Sequence, residues 1–134
     1  MIGERVYLAA RYSRRAEMYD YAVGLRNKGL IVCSSWVDHP DELPDDGPGG
    51  ATDPGFYAAR DFDDVATADT LVLFCDNPDE TSTKRGGRHV EFGVALALDL
   101  NVIVVGQREN IFQYLPQVVH FDKWEDAVDY LDIV

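Results

Sequence analysis

Residues 81–99 read TSTKRGGRHVEFGVALALD, a basic, glycine-containing loop that continues as an almost wholly apolar helix. A helix that is apolar on all sides is expected to be buried on most of them. Glu91 stands near the start of this helix, and a carboxylate is rarely buried without a reason. A helix N-terminus favours anions, because its N–H groups are unpaired and its dipole end is positive. Lys84, Arg85 and Arg88 add positive charge. The stretch therefore predicts an acid beside an anion-binding turn.

The composition restricts the class of protein. A chain of 134 residues with 46% hydrophobic content predicts one folded domain covering residues 1–134. We expect a cytoplasmic protein without a membrane partner, because no apolar run approaches a membrane span and the N-terminus lacks a signal-peptide pattern. Cys33 and Cys75 lie in apolar, strand-like segments. We interpret them as reduced core thiols rather than as a disulfide or a metal pair.

The distribution of charge is more informative than its sum. A net charge of −12 argues against a nucleic-acid polymer as partner. Of the 12 Lys and Arg residues, three lie within residues 11–15 and three within residues 84–88. These two basic loops are either solvated separately or form one anion site together, and the second interpretation requires that they meet in space.

Apolar runs alternate with helical segments along the chain. Strands are predicted at residues 5–10, 30–36, 70–75, 101–106 and 117–121. A first helix is predicted at residues 14–28, capped by Ser13 and closed by Gly29, and a second at residues 53–67, starting at Asp53 and Pro54. A third helix is predicted around Glu91. A fourth follows Asp122, with Glu125 completing a capping box. The acidic segment 37–52, rich in Pro and Gly, predicts a lid, a binding loop or local disorder.

Continuous apolar strands that alternate with helices predict a parallel sheet covered on both faces. The fold class expected is therefore α/β, a single-domain Rossmann-like (flavodoxin-like) sheet of about five strands. In such folds the ligand site lies outside the carboxyl ends of the strands. The loop at 11–15 follows the first strand and the loop at 84–88 follows the third. Both loops therefore lie at the same edge, which favours a single anion site.

The sequence lacks the motifs of several common protein classes. It has no G-x-G-x-x-G turn after the first strand, no P-loop motif and no G-x-S-x-G elbow. A receiver domain would have an acidic pair after its first strand, where this chain has Ala10, Arg11 and Tyr12. The three histidines, at positions 39, 89 and 120, lack the spacing of metal ligands, so we expect no metal and no cofactor. The kind of site that is left is a reactive carboxylate beside an anion-binding pocket.

Three stretches carry a resemblance to a known family: VYLAARYSRR, ARDFDDVATADTLVLF and GRHVEFGVALALDLNVIVV. Together they resemble the nucleoside 2-deoxyribosyltransferase family, including the related 2′-deoxynucleoside 5′-monophosphate N-glycosidases. The resemblance covers most of the chain. Its most specific part is the pattern E-[FL]-G-x-A-x-A-L, preceded by a glycine turn and an upstream aspartate.

The resemblance implies roles for individual residues. Glu91 would be the nucleophile that attacks the anomeric carbon of a deoxyribose, through an oxocarbenium-like transition state. Asp61 would protonate or position the departing base. Tyr7 would orient the nucleophile, and Gly87 matches the first glycine of the turn. Family members usually have a second glycine two residues before the Glu. His89 stands there in this chain and would bring an imidazole near the substrate, so it is a candidate substrate-binding residue.

Alternative interpretations of these residues stay open. Asp63 and Asp64 compete with Asp61, since acidic residues on a helix are usually solvated. Tyr7 alone on an apolar strand is typical of a core aromatic. His89 is more typical of a capping or solvent-facing residue than of a catalytic one. Only Glu91 has surroundings in which an idle carboxylate would be costly.

The resemblance also divides the possible substrates. The hydrolases of the family hold a 5′-phosphate with the loop after strand one and the turn before the Glu. Arginine suits phosphate because its planar fork donates two hydrogen bonds. We therefore expect hydrolysis of a small-molecule nucleotide, with base exchange between nucleosides as the alternative and a non-catalytic nucleotide sensor as a second one. The residues that would bind phosphate are Arg11, Ser13, Arg14, Arg15, Arg85, Gly87 and Arg88.

The resemblance further implies assembly of identical chains. Hydrolysing members form dimers or higher oligomers in which one residue reaches the neighbouring site. Asn110 is the candidate for that residue here, and the apolar Glu91 helix is the candidate interface. We therefore expect a homo-oligomer.

Overall fold

Five short apolar strands form the centre of the molecule. The computed structural model describes residues 4–40, 54–77 and 86–133. The strands are β1 (Arg5–Ala9), β2 (Ile31–Val32), β3 (Thr70–Phe74), β4 (Asn101–Val105) and β5 (Val118–Phe121). They form one sheet in the order β2-β1-β3-β4-β5, and every neighbouring pair is parallel. The predicted parallel sheet of about five strands is confirmed.

Within these described residues, four helices connect and cover the strands: α1 (Arg15–Asn27), α2 (Pro54–Ala66), α3 (Gly87–Ala97) and α4 (Trp124–Ile133). The right-handed connection rule for parallel strands places α1 on one face of the sheet and α2 and α3 on the other. Tyr21 of α1 stacks on Trp124 at 4.7 Å between ring centroids, so α4 shares the face of α1. The helices therefore cover both faces, as the flavodoxin-like fold class predicts.

The core consists mainly of the three central strands. All five residues of β3 are buried, and so are residues 6–9 of β1 and residues 102–105 of β4. Strands that are covered on both faces need apolar side chains at every position, which is why they appear in the sequence as continuous apolar runs. Cys33 and Cys75 are both free and buried. Burial raises the pKa of Cys33 to about 11 and that of Cys75 to about 12.

The predicted second strand, residues 30–36, is wrong in length. β2 ends at Val32, and a 3₁₀ turn, Ser35–Asp38, follows it. Two side chains take over the pairing that a longer strand would give. Leu8 N–H donates to Ser34 Oγ at 3.1 Å, and Trp36 Nε1–H donates to Leu8 O at 2.9 Å. Because the buried polar groups of Leu8 are satisfied in this way, the chain can leave the sheet early.

The predicted starts of two helices are also wrong. α1 begins at Arg15 after a 3₁₀ turn, Tyr12–Arg14, so Ser13 lies inside that turn and does not cap the helix. α4 begins at Trp124, so Asp122 lies one residue too early to be its capping residue. The predicted cap Asp53 lies outside the described residues. The stop at Gly29 is confirmed, because its φ of +92° is a conformation that glycine adopts readily.

The helix that contains Glu91 is less buried than its sequence predicts. Only Arg88, Phe92 and Ala95 of α3 are buried, a stripe with the spacing of one helix face. Val90 is 67% exposed, and Leu98, which follows the helix, is 48% exposed. The prediction of a helix buried on most sides is wrong, because α3 lies on one face of the sheet and only one side of it meets the strands. No helix in the described ranges is long and apolar enough to cross a membrane.

Candidate active site

The candidate site lies where the strand order reverses, between β1 and β3. Neighbouring connections leave the sheet in opposite directions at such a point and open a crevice at the carboxyl ends of the strands. The segment after β1 contains Arg11 and Ser13, and the segment after β3 contains Asp76. The N-terminus of α3 lies at the same edge, because α3 follows β3.

Tyr7 and Glu91 form the centre of this site. Tyr7 is fully buried on β1, and its hydroxyl donates a hydrogen bond to Oε2 of the half-buried Glu91. Burial first, and then the negative charges of Glu91 and Asp61, raise the pKa of Tyr7 well above its usual value. The phenol therefore remains a hydrogen-bond donor at ordinary pH, and it fixes one oxygen of the carboxylate.

The three aspartates of α2 have different environments. Asp61 is half-buried and accepts hydrogen bonds from Arg60 at 2.8 and 3.2 Å, both at Oδ1. Asp64 Oδ2 accepts a hydrogen bond from Ser35 N–H at 3.0 Å, which ties α2 to the turn after β2. Asp63 is exposed. Of the three, Asp61 and Asp64 both contribute negative charge at the Tyr7 hydroxyl, and Asp61 has the larger effect.

All four described arginines that were predicted to bind phosphate contact protein groups. Arg14 makes a forked pair with Glu17 at 2.8 and 2.9 Å and donates to Cys75 O at 3.1 Å. Arg88, only 3% exposed, contacts Asp76 and Glu109. Arg11 Nε lies 3.5 Å from Asp76 Oδ2 and keeps 12% of its side chain exposed. Arg15 donates to Val37 O at 2.7 Å.

The remaining predicted residues are placed around this centre. Gly87 is the first residue of α3, directly after Gly86, whose φ is +82°. Ser13 is exposed and His89 is half-buried. Asn110 accepts a hydrogen bond from Phe112 N–H at 3.0 Å and so caps a 3₁₀ turn, Ile111–Tyr114. Arg85 lies outside the described residues.

The structure adds residues that sequence reasoning missed. Arg60 pairs with Asp61, and Asp76 joins Arg11 to Arg88. Asp76 could have been found, because it directly follows a predicted strand at the ligand-binding edge. Glu109 carries no such signal, since it lies four residues after β4 in a polar segment. Within the described ranges, no group of three or more His, Cys, Asp or Glu residues could hold a metal ion.

A carboxylate that is oriented by a buried phenol, at the ligand-binding edge of a parallel sheet, can act as a nucleophile or as a base. The second acidic group, Asp61, lies close enough to influence the same phenol. Enzymes that cleave glycosidic bonds commonly use two carboxylates around one crevice.

Comparison with solved structures identifies the fold. The class is the doubly wound, flavodoxin-like α/β fold. One similar structure is a CMP N-glycosidase, BcmB, from Clostridium botulinum, with a TM-score of 0.63 and 20% sequence identity over 97% of this chain and 99% of that one. Another is a 2-deoxyribosyltransferase from Bacillus psychrosaccharolyticus, with a TM-score of 0.67 and 22% identity over 94% of this chain and 91% of that one.

These similarities confirm the fold that the resemblance implied, over nearly the whole chain. No protein-family model matches the sequence, and no curated protein matches it either.

Proposed function

We propose that this protein is an enzyme of the N-glycosidase and 2-deoxyribosyltransferase type, with Glu91 as its nucleophile. It would cleave the N-glycosidic bond of a 2′-deoxynucleoside 5′-monophosphate and give free base and deoxyribose 5-phosphate. The hydrogen bond from Tyr7 to Glu91 at the crevice between β1 and β3 carries this proposal. An attacking carboxylate must be held in one orientation, and the buried phenol of Tyr7 can hold it.

The proposed reaction has two steps. Glu91 attacks C1′ while the bond to the base breaks, which forms a glycosyl-enzyme that water then hydrolyses. Asp61 protonates or positions the departing base in the first step. Tyr7 keeps the attacking carboxylate in one orientation, and its high pKa keeps the phenol protonated throughout.

The proposal of a phosphorylated substrate rests on fewer groups than the sequence suggests. Arg14 and Arg88 are paired with carboxylates, so their charges are already balanced. Arg11 also contacts a carboxylate, that of Asp76, but at the longer distance of 3.5 Å, and 12% of its side chain is exposed; it is the arginine that we assign to phosphate. Gly87 at the N-terminus of α3 allows a phosphate to approach the backbone N–H groups. The similar fold of an enzyme that acts on CMP supports a nucleotide substrate.

A screen by mass spectrometry tests the proposal. Purified protein is incubated with deoxynucleosides and their 5′-monophosphates, with and without acceptor bases, beside the variant Glu91→Ala. We expect free base from monophosphates only, and none from the variant. Glu125→Ala, which removes an exposed carboxylate of α4, is the matched control and should stay active. An active Glu91→Ala enzyme would contradict the assignment of the nucleophile.

Base exchange is the second candidate, because the fold is equally similar to that of a 2-deoxyribosyltransferase. In the same screen, product that forms from unphosphorylated nucleosides only when an acceptor base is supplied would favour it. Saturable nucleotide binding without any product would instead favour the nucleotide sensor.

We also propose that the chain forms a homo-oligomer through the outer side of α3. This side carries Val90 and is followed by Leu98, both exposed. α3 packs against α2, which itself exposes Phe56 and Phe62. Exposed apolar side chains on two helices that pack together are typical of a surface that another copy covers. Asn110 remains the candidate for reaching a neighbouring site.

A further inference from the structure

Arg88 occupies a position in α3 where an apolar residue would be expected. The buried stripe of this helix consists of Arg88, Phe92 and Ala95, at the spacing i, i+4, i+7. Arg88 is as buried as Phe92, at 3% exposure each. A buried charge is tolerated only where paired groups surround it, so the contacts of this side chain must explain its position.

Those contacts come from two separate segments of the chain. Arg88 Nε–H donates to Phe74 O, the last carbonyl of β3, at 3.3 Å. Its Nη2 lies 3.0 Å from Asp76 Oδ2 and 2.6 Å from Glu109 Oε2. One guanidinium therefore joins the first turn of α3 to the end of β3 and to the segment that follows β4.

The charges around Arg88 balance. Asp76 also lies 3.5 Å from Arg11, so the order Arg11, Asp76, Arg88, Glu109 alternates in sign across the edge of the sheet. Two cations and two carboxylates sum to zero. Arg88 therefore sits between two carboxylates, which would repel the phosphate that its sequence context predicts it to bind.

We propose that Arg88 is a positioning residue: by fixing the first turn of α3, it sets Glu91 against Tyr7. Glu91 follows three residues after Arg88 on the same helix, and Tyr7 belongs to the buried sheet. A shift of the first turn would therefore change the contact between the phenol and the carboxylate directly. This inference rests on the proposed function, in which Glu91 is the nucleophile.

A positioning role and a phosphate-binding role predict different kinetics. Loss of a phosphate ligand raises KM for the monophosphate. Loss of positioning lowers kcat and leaves KM nearly unchanged, because the attacking atom is misplaced while the groups that bind the substrate remain. The variant Arg88→Lys separates the two, since it keeps the charge and removes the fork.

The matched control is Arg26→Lys. Arg26 makes a forked pair with Asp38 at 3.0 and 2.9 Å and contacts Val32 O at 3.3 Å, so the same types of bond are lost. It lies on α1, away from the crevice. A second variant, Glu109→Gln, weakens the anchor while the guanidinium stays, and carries the test if circular dichroism shows that Arg88→Lys does not fold.

Two measurements are made on each variant. For Arg88→Lys we expect kcat for the monophosphate to fall on the order of 10²-fold and KM to stay nearly constant. The ring signal of Tyr7, observed by NMR with 13C-labelled tyrosine and assigned by its loss in Tyr7→Phe, should shift as its hydrogen bond to Glu91 changes. Glu109→Gln should show smaller changes in the same directions, and Arg26→Lys should show neither.

A raised KM for the monophosphate with an unchanged kcat would overturn the inference and make Arg88 a phosphate ligand. An unchanged Tyr7 signal in folded Arg88→Lys and Glu109→Gln would also overturn it. The NMR measurement needs no turnover. If the unaltered protein cleaves no substrate, the proposed function fails, and the Tyr7 signal alone decides the positioning role.

Discussion

Tyr7 has a different environment from an ordinary core tyrosine. Its ring is buried in the sheet, while its hydroxyl meets Glu91 and lies within the influence of Asp61 and Asp64. Sequence alone favoured a core aromatic, and the resemblance favoured an orienting role. The observed contacts are compatible with both descriptions, because one end of the side chain packs in the core and the other donates to a carboxylate, and the orienting role stays a prediction.

Replacement of Tyr7 by Phe should lower turnover while the fold is kept. A hydrogen bond to a charged group contributes about 1.5–3 kcal/mol, which corresponds to a loss of roughly 10- to 150-fold in rate. Steady-state kinetics on the substrate found in the screen would measure it. Tyr19→Phe, at a tyrosine of α1 that is 43% exposed, is the control. Full activity in Tyr7→Phe would show that the phenol does not orient Glu91.

The pKa of Tyr7 also predicts how stability depends on pH. The pKa in the folded protein lies well above the usual value of 10.0, which the unfolded chain should show. Above pH 10 the unfolded state loses this proton while the folded state keeps it. The free energy of unfolding should therefore decrease as pH rises above 10, by up to about 1.4 kcal/mol per pH unit for this group.

Urea unfolding at pH 8, 10 and 11 would measure this decrease. Tyr21, whose pKa is raised to about 12, contributes in the same direction, so the comparison with Tyr7→Phe isolates the contribution of Tyr7. The variant should lose less stability between pH 10 and 11 than the unaltered protein. Equal losses would mean that Tyr7 titrates alike in the folded and unfolded states.

The 3₁₀ turn after β2 depends on two side chains, Ser34 and Trp36. Trp36 Nε1–H donates to Leu8 O, and both groups are buried. Trp36→Phe should lower the free energy of unfolding by about 1–3 kcal/mol, since the Leu8 carbonyl would stay buried without its donor. Urea denaturation followed by circular dichroism measures this. Tyr19→Phe, at a side chain that is 43% exposed, is a control for a reduced aromatic side chain and should change stability little.

The same elements show which features could be predicted from the sequence. β1, β3 and β4 were predicted to within one residue, because strands buried on both faces must be apolar throughout. The 3₁₀ turn Ser35–Asp38 was missed, because the hydrogen bonds that replace the strand come from side chains whose partner, Leu8, lies 26 and 28 residues earlier. No local pattern encodes such a pairing.

For the candidate site too, contacts between residues that are distant in sequence could not be predicted. Glu91 was singled out from its local sequence, and Tyr7 and Asp61 from the family resemblance. The structure brings Tyr7 and Glu91 into contact, with Asp61 close enough to act on the same phenol. The pairing of Arg88 was not predictable, because its partners lie 12 residues before it and 21 residues after it. Charge counting could locate a basic loop, but it could not show which cations were already neutralised.

The outer side of α3 is more apolar than its burial within a single chain requires, and contact with a second copy of the molecule would explain this. If a second copy covers it, Leu98→Asp should shift the protein towards a monomer, because an interface would then bury an unpaired carboxylate. Light scattering coupled to size-exclusion chromatography measures the mass. Ile31→Asp, at a residue with the same 48% exposure on β2, should leave the mass unchanged. A monomeric unaltered protein would contradict the proposal.

The early end of β2 has a consequence for the behaviour of the protein at high concentration. β2 forms one edge of the sheet and consists of only two residues before the 3₁₀ turn begins. Exposed strand edges are templates on which strands of other molecules add, and this is a common route to aggregation. An edge this short presents few backbone groups for such addition, so the turn held by Ser34 and Trp36 also protects the sheet from intermolecular growth on that side.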